Sequence, residues 1–295
     1  MDVRRLQMLL ELSRLGSMRE VAEELGTTTS AVSQQIAALS REAGTALTEP
    51  QGRRVRLTPA GRRLAQHAVT ILAAVDAARL DLDPGAEPAG TVRVAGFATA
   101  VRRSLVPVAA DLADHPKMRL HIHEHEPAEA LALLAADDVD LALTYDYNLA
   151  PAAAHQGLEF RPLWSTAWSL AVPHTIAVPQ GDAPSVFASV RDRDWIVNSR
   201  STADENVVRV LASMAGFEPR ITHHADSLEL VQDLIIAGLG IGLLPADQPA
   251  IPGIEILPLT HPAVTLRSYA VVRRGHAGWP PLQLVLNLLT ARATT

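Results

Sequence analysis

Five side chains between positions 29 and 35 have the types and spacing to read nucleic acid: Thr29, Ser30, Ser33, Gln34 and Gln35. Short hydroxyls and amides donate to and accept from the base edges in the major groove of DNA. A helix is the element that fits that groove. Val32, Ile36 and Leu39 recur at i, i+4 and i+7 on the other side, the spacing of one buried helical stripe. The segment reads as a helix with a packed side and a side free for bases.

Its neighbours must hold it in place. Ser17 and Glu20 form a capping box, so a short helix starts there, with Val21, Ala22 and Leu25 as its apolar face. Gly26 suits the left-handed turn that ends it, and Thr28 or Thr29 caps the next helix. Residues 17–40 are thus a helix-turn-helix. Upstream, 2–14 form a helix whose Val3, Leu6, Leu9, Leu10 and Leu12 pack on that pair. Downstream, 46–48 and 55–58 read as the strands of a hairpin, with Pro50, Gln51 and Gly52 in its loop. Arg53, Arg54 and Arg56 sit in or beside this wing, where they reach phosphates or the minor groove. Ser17 and Thr28, at the two helix starts, complete the expected DNA-contacting set.

Thr58 followed by Pro59 is an N-cap with proline at the first helical position, so a long helix runs over 59–82. Leu64, Ala68, Leu72 and Val75 make a seam on it for a second helix, the expected dimer contact. Proline and glycine at 84, 85, 88 and 90 break the helix and form a hinge.

Ser17-Met18-Arg19-Glu20-Val21-Ala22-Glu23-Glu24-Leu25, followed by Ser30-Ala31-Val32-Ser33-Gln34-Gln35-Ile36 and Leu39, resembles the DNA-binding motif of LysR-type transcriptional regulators. Residues 53–61, Arg-Arg-Val-Arg-Leu-Thr-Pro-Ala-Gly, resemble that family's wing and linker start. The resemblance is close over about the first 60 residues and is one of layout beyond them. It implies a winged helix-turn-helix, a linker helix and a two-lobed α/β effector domain of the periplasmic-binding-protein-like (type II) kind. The implied partners are double-stranded DNA with a two-fold symmetric operator, a small-molecule effector, a second copy of the chain in a dimer or tetramer, and RNA polymerase for an activator. One stretch departs from the family pattern. Where an aromatic or apolar residue and then an arginine are usual, this chain has Thr48-Glu49-Pro50, which removes a phosphate contact and a ladder donor.

The chain has 295 residues, room for two or more domains, and a net charge of −6. That total hides an asymmetry. Residues 1–63 hold ten arginines and seven acids, a mildly basic end on an acidic body. Cysteine is absent, which excludes disulfides, thiolate metal sites and a cysteine nucleophile. Met1 to Arg5 lead into a charged helical pattern without the apolar core of a signal peptide. The longest apolar run, 234–246, is too short to span a bilayer. The expectation is a cytoplasmic protein without a membrane partner.

From position 91 strands and helices alternate. Strands are expected at 92–97, 120–125 and 140–145, with helices at 101–112 and 128–136, a βαβαβ pattern that implies a parallel sheet. A second set follows. Its strands are at 169–172, 195–198, 221–224, 241–244 and 266–272, and its helices at 205–215, 228–237 and 282–291. The expected division is 1–58 for DNA binding, 59–83 for the linker helix, 84–90 for the hinge and 91–295 for the effector domain. Lobe I takes 91–164 and 267–295, and lobe II takes 165–266.

In such a clamp the ligand sits where strand ends and helix starts converge. Thr99, Ala100, Tyr145, Asp146, Ser199, Arg200 and His224 occupy those ends. Hydroxyls, backbone amides and one arginine favour a small anion, which Asp146 would repel. His121, His123 and His125 share one strand face, yet about 7 Å separates such positions, too wide for one metal ion. There is no Gly-x-Ser-x-Gly, phosphate loop or His-Glu-x-x-His, so no catalytic residues, cofactor or metal are expected. The reading is a sequence-specific transcription regulator set by a small molecule and not an enzyme. The rivals are an effector-independent architectural DNA-binding protein and a solute-binding or enzymatic domain with an N-terminal dimerisation module.

Overall fold

The computed structural model describes residues 1–51, 54–83, 86–153, 155–200, 203–249 and 251–293. Local signals set the N-terminal elements. Asp2 caps α1 (Val3–Leu15) by accepting from the Arg4 and Arg5 amides, and Gly16 closes it in a left-handed conformation. Ser17 caps α2 (Met18–Glu24), its Oγ 3.5 Å from the Glu20 amide. Thr28 caps α3 (Thr29–Ala43), accepting from the Ala31 amide at 3.2 Å. Leu6, Leu9, Val21, Val32, Ile36 and Leu39 meet in one buried cluster with Leu47, Leu57 and Ala68. Each large aliphatic side chain so buried contributes about 1.5–3 kcal/mol.

The wing is β1 (Thr48–Gln51) paired antiparallel with β2 (Arg54–Leu57). Pro50 and Gln51, expected in the loop, belong to β1, opposite Val55 and Arg54. A two-stranded ribbon leaves alternate N–H groups pointing outward, so a proline at such a place interrupts no ladder bond. Gly52, Arg53 and the side chain of Arg54 lie outside the described residues.

Thr58 caps α4 (Pro59–Leu82) by accepting from Gly61 at 3.0 Å. A Cβ on Gly61 would collide with the Leu47 carbonyl, so only glycine lets α4 start this close to the wing. On the expected seam, Ala68 is fully buried, and Leu64 and Leu72 pack partly against the N-terminal cluster. α1 therefore covers part of that side within one chain. Pro84 and Gly85 of the hinge lie outside the described residues.

The remainder opens with β3 (Gly90–Gly96), α5 (Ala98–Ala100), α6 (Val106–Asp111), β4 (Met118–Glu124), α7 (Pro127–Ala136) and β5 (Leu141–Tyr147). β3 pairs parallel with both β4 and β5, as the βαβαβ pattern expects. The helix expected over 101–112 is broken into a π turn at Val101–Leu105 and α6. Pro107 supplies no N–H there and crowds the preceding turn.

β6 (Leu158–Pro173) is 16 residues long, and only its end was legible. α8 (Ala183–Ser189), β7 (Asp194–Val197), α9 (Ala203–Met214), β8 (Arg220–His224) and α10 (Leu228–Ile236) follow. β9 (Gly242–Pro245), β10 (Ile254–Pro258), β11 (Val264–Arg273) and α11 (Pro280–Ala293) complete the order. The main sheet runs β10-β6-β11-β5-β3-β4, with β9 also on β6. Positions 165 and 267, the expected lobe boundaries, face each other where β6 pairs with β11, so both lie within long strands of one sheet. β7 and β8 form a separate parallel pair in the second lobe. Gly240 lets α10 turn back tightly there: a Cβ would press on the Asp194 carbonyl and Ile196. Among the described residues no helix is long and apolar enough to cross a membrane.

Candidate functional site

α3 presents Thr29, Ser30, Ser33 and Gln34 to solvent, with Val32, Ile36 and Leu39 buried behind them. Gln35 is half-buried, and its Oε1 accepts from Arg5 Nε at 2.8 Å, so it braces α3 on α1. The hydroxyls of Ser17 and Thr28 are occupied as caps, which places them at helix starts beside that face. Arg56 is exposed on the wing, and Glu49, its cross-strand neighbour, holds its Nε at 2.8 Å. Glu49 thus blunts the cation that stands where a phosphate contact is expected.

The second site is a cavity of about 260 Å³ between the two βα units. Phe97, Thr99, Tyr145, Trp164 and Trp168 line it from the sheet side, and Asn198, Asp204, Ala225 and Asp226 from the other. The rings form a continuous wall. Phe97 meets Tyr145 edge-on at 4.6 Å, Tyr145 meets Tyr147 at 6.0 Å, and Tyr147 meets Trp168 at 5.5 Å. Alternate residues of β5 point the same way, so Tyr145 and Tyr147 bring their hydroxyls to one side.

Each hydroxyl ends on a carboxyl. Tyr145 donates to Glu126 at 3.1 Å, and Tyr147 donates to Asp204 at 2.6 Å. Burial pushes Glu126 up to about 7 against the opposing bond from Tyr145, with Asp226 and Asp204 adding repulsion. Burial likewise pushes Asp204 up to about 6, and Asp226 adds to it. The Tyr147 hydroxyl is raised well above its ordinary range by burial and by Asp204. Asp226 goes the other way: despite burial, bonds from Ser199 and Arg200 hold it below the usual carboxylate range.

The cation next to this group is occupied. Arg200 Nε lies 3.0 Å from Asp226, with Glu124 at 3.5 Å and Glu129 at 3.6 Å. Arg103, the one arginine among the described lining residues, lies over the Trp164 ring at 4.5 Å and 3.7 Å from Asp247. The described lining holds four carboxylates, Glu126, Asp204, Asp226 and Asp247, against that arginine. This acidic lining is the opposite of what the hydroxyls and Arg200 suggest from sequence.

The cavity thus brings together Thr99 and Tyr145 of the expected residues, with Ser199 and Arg200 at its edge through Asp226. Ala100 is buried in the core. His224 is exposed at the end of β8. Asp146 faces the other side of β5, where Arg267 grips both its oxygens at 2.9 Å. Its charge is spent within the fold and does not repel a ligand at the mouth. His121 and His123 are exposed on the edge strand β4, and His125 pairs with Glu129 at 3.3 Å. Glu126, Asp204, Trp164 and Trp168 escaped sequence reading. Nothing in their local sequence shows that they converge.

A helix-turn-helix with an open hydrogen-bonding face, joined by one long helix to a two-lobed domain with a lined cavity, defines a DNA-binding regulator with a small-molecule domain. Residues 3–62 match the model of the bacterial regulatory helix-turn-helix protein, lysR family, and residues 85–294 match the LysR substrate binding domain. The chain belongs to the LysR family of transcriptional regulators. It is 26% identical over 250 residues to the transcriptional dual regulator GltC of Bacillus subtilis, covering 83% of this chain and 81% of that one. Its fold is that of a full-length OxyR variant from Pseudomonas aeruginosa, with TM-score 0.72, 20% identity and coverage of 99% and 94%. LysG from Corynebacterium glutamicum, solved with its effector Arg bound, shares the fold at TM-score 0.67 and 21% identity, covering 100% and 98%.

Proposed function

We propose that α3 enters the major groove of a two-fold symmetric operator and reads it through Ser30, Ser33 and Gln34, with Thr29 at the edge of the contact. The carrying observation is that these four are exposed together on a helix whose opposite stripe is buried. Ser17, Thr28 and the wing arginines Arg53, Arg54 and Arg56 flank the phosphates. In this reading residues 1–58 are the DNA-binding unit, 59–83 the linker, 84–90 the hinge and 91–295 the effector unit of a cytoplasmic regulator that is not an enzyme. The face of α4 that α1 leaves open includes Ile71, 37% exposed, and a second copy covers it in a dimer.

The effector occupies the cavity between the lobes, bounded by Thr99, Tyr145, Glu126, Asp204 and Asp226. Binding shifts the population of lobe arrangements, and through α4 the spacing of the two reading heads. Selection from a random duplex library tests the DNA reading. The expected result is one enriched two-fold motif that changes in Gln34→Ala. An identical motif from the variant would remove α3 as the reader.

A further inference from the structure

We propose that the effector of this cavity is a small organic cation, a guanidinium or an amine. This rests on the reading of the cavity as the effector site and names the ligand's charge class. Four observations lead there.

Glu126 and Asp204 face the cavity with no ion-pair partner within 4.0 Å among the described residues; each holds a tyrosine hydroxyl. Asp226 is saturated by Ser199 and Arg200, so the two tyrosine-bound carboxyls are the ones left to meet a charge. Among the described residues an anion finds no open cation at the cavity: Arg200 is held by three acids, and Arg103 by Trp164 and Asp247.

The walls suit the same ligand. Phe97, Tyr145, Trp164 and Trp168 line the cavity together with the carboxyls, and aromatic faces attract cations most when water is excluded. Arg103 over Trp164 is this chain's own example of that contact.

Trp168 borders the cavity at 6% exposure. The cavity's 260 Å³ lies just below the range typical of drug-sized pockets, so the ligand is small.

The groups facing Glu126 and Asp204 are Tyr145 and Tyr147 on β5, Asp226 and Arg200 from the second lobe, Asn198 beside Asp204, and Arg103 with Asp247 at the mouth. None supplies an unpaired positive charge. A bound cation therefore draws both carboxyls into the ionised form and expels protons, whereas an anion would take protons up.

Isothermal titration of the full-length protein at pH 6.5 tests this. The probes are L-arginine, agmatine and putrescine in one arm, and glutarate, succinate and benzoate in the other. Two buffers of different ionisation enthalpy read the protons. The expected result is binding in the cation arm alone, net proton release for the non-titrating guanidinium probes, and at least tenfold weaker binding in Glu126→Gln and in Asp204→Asn. Binding confined to the carboxylate arm, binding of neither arm, or binding with proton uptake overturns the proposal. If either carboxyl variant fails to fold, the proton count on the unaltered protein decides. The same preparation is assayed for sequence-specific DNA binding. Failure of that assay strikes the regulator reading, whereas its success beside a failed cation arm strikes the charge class alone.

Discussion

Tyr147 donates its hydroxyl to Asp204 at 2.6 Å and so ties β5 in the first lobe to the first turn of α9 in the second. Tyr147 is fully buried, so the bond is shielded from water and depends on the lobes staying in register. A ligand that engages Asp204 acts on the group that joins the lobes. That is a direct route from occupancy to lobe arrangement.

Tyr147→Phe removes the donor and leaves the Asp204 carboxyl with one partner fewer. The expected loss is about 1–3 kcal/mol of stability, read as a lower urea midpoint at unchanged slope. An unchanged midpoint would show that the bond does not hold the lobes.

Glu126 is raised from 4.5 to about 7 in the folded chain, so between those pH values the unfolded chain has released a proton that the folded one still holds. Stability therefore falls as pH rises through that window, and Asp204 adds a fall between 3.8 and about 6. Asp140 opposes them. Despite burial, His276 at 3.4 Å and the bonds from Arg93 lower it, so its contribution is present above its unfolded value and lost toward acid. Glu126→Gln should gain stability relative to the parent between pH 5 and 7.5, on the order of 2 kcal/mol. Melting curves at the two pH values check this. A difference independent of pH would place Glu126 in solvent.

Gln34 and Gln35 are adjacent and should behave differently. Gln34→Ala should weaken operator binding by about 1–3 kcal/mol with little change in melting temperature. Gln35→Ala should lower the melting temperature, because Arg5 Nε loses its acceptor on α3 and, among the described residues, only Glu42 is left to hold Arg5 there. Anisotropy titrations beside melting curves separate the two; equal effects of both variants on binding alone would contradict the assignment.

The reading head was legible because its signals are local. Ser17, Thr28 and Thr58 with Pro59 each cap a helix from within three residues, and Val32, Ile36 and Leu39 state their own stripe. The cavity was not, because its acids come from different elements: Glu126 from the start of α7, Asp204 from α9, Asp226 from the turn after β8. Asp146 was misplaced for a similar reason. Only the antiparallel register of β5 and β11 brings Arg267 opposite it. Pro162 hid the first half of β6, since proline argues against a strand. It is tolerated where pairing with β11 slips between Ser268 and Tyr269.

Glu49 and Arg56 on the wing make a further test. Glu49→Gln should free Arg56, tighten DNA binding several-fold at low salt, and steepen the dependence of log K on log salt by about 0.9, the value of one added phosphate contact. No change in slope would mean that Arg56 stays clear of the backbone.

The central claim is a regulator that reads specific DNA. The most direct measurement is sequencing of the fragments that the purified protein retains from genomic DNA at two salt concentrations. A few sharply enriched sites sharing a two-fold motif, weakening steeply with salt, are expected. Uniform weak retention across the genome would contradict the claim and favour an architectural role, and no retention at either salt would remove α3 as a reader of DNA.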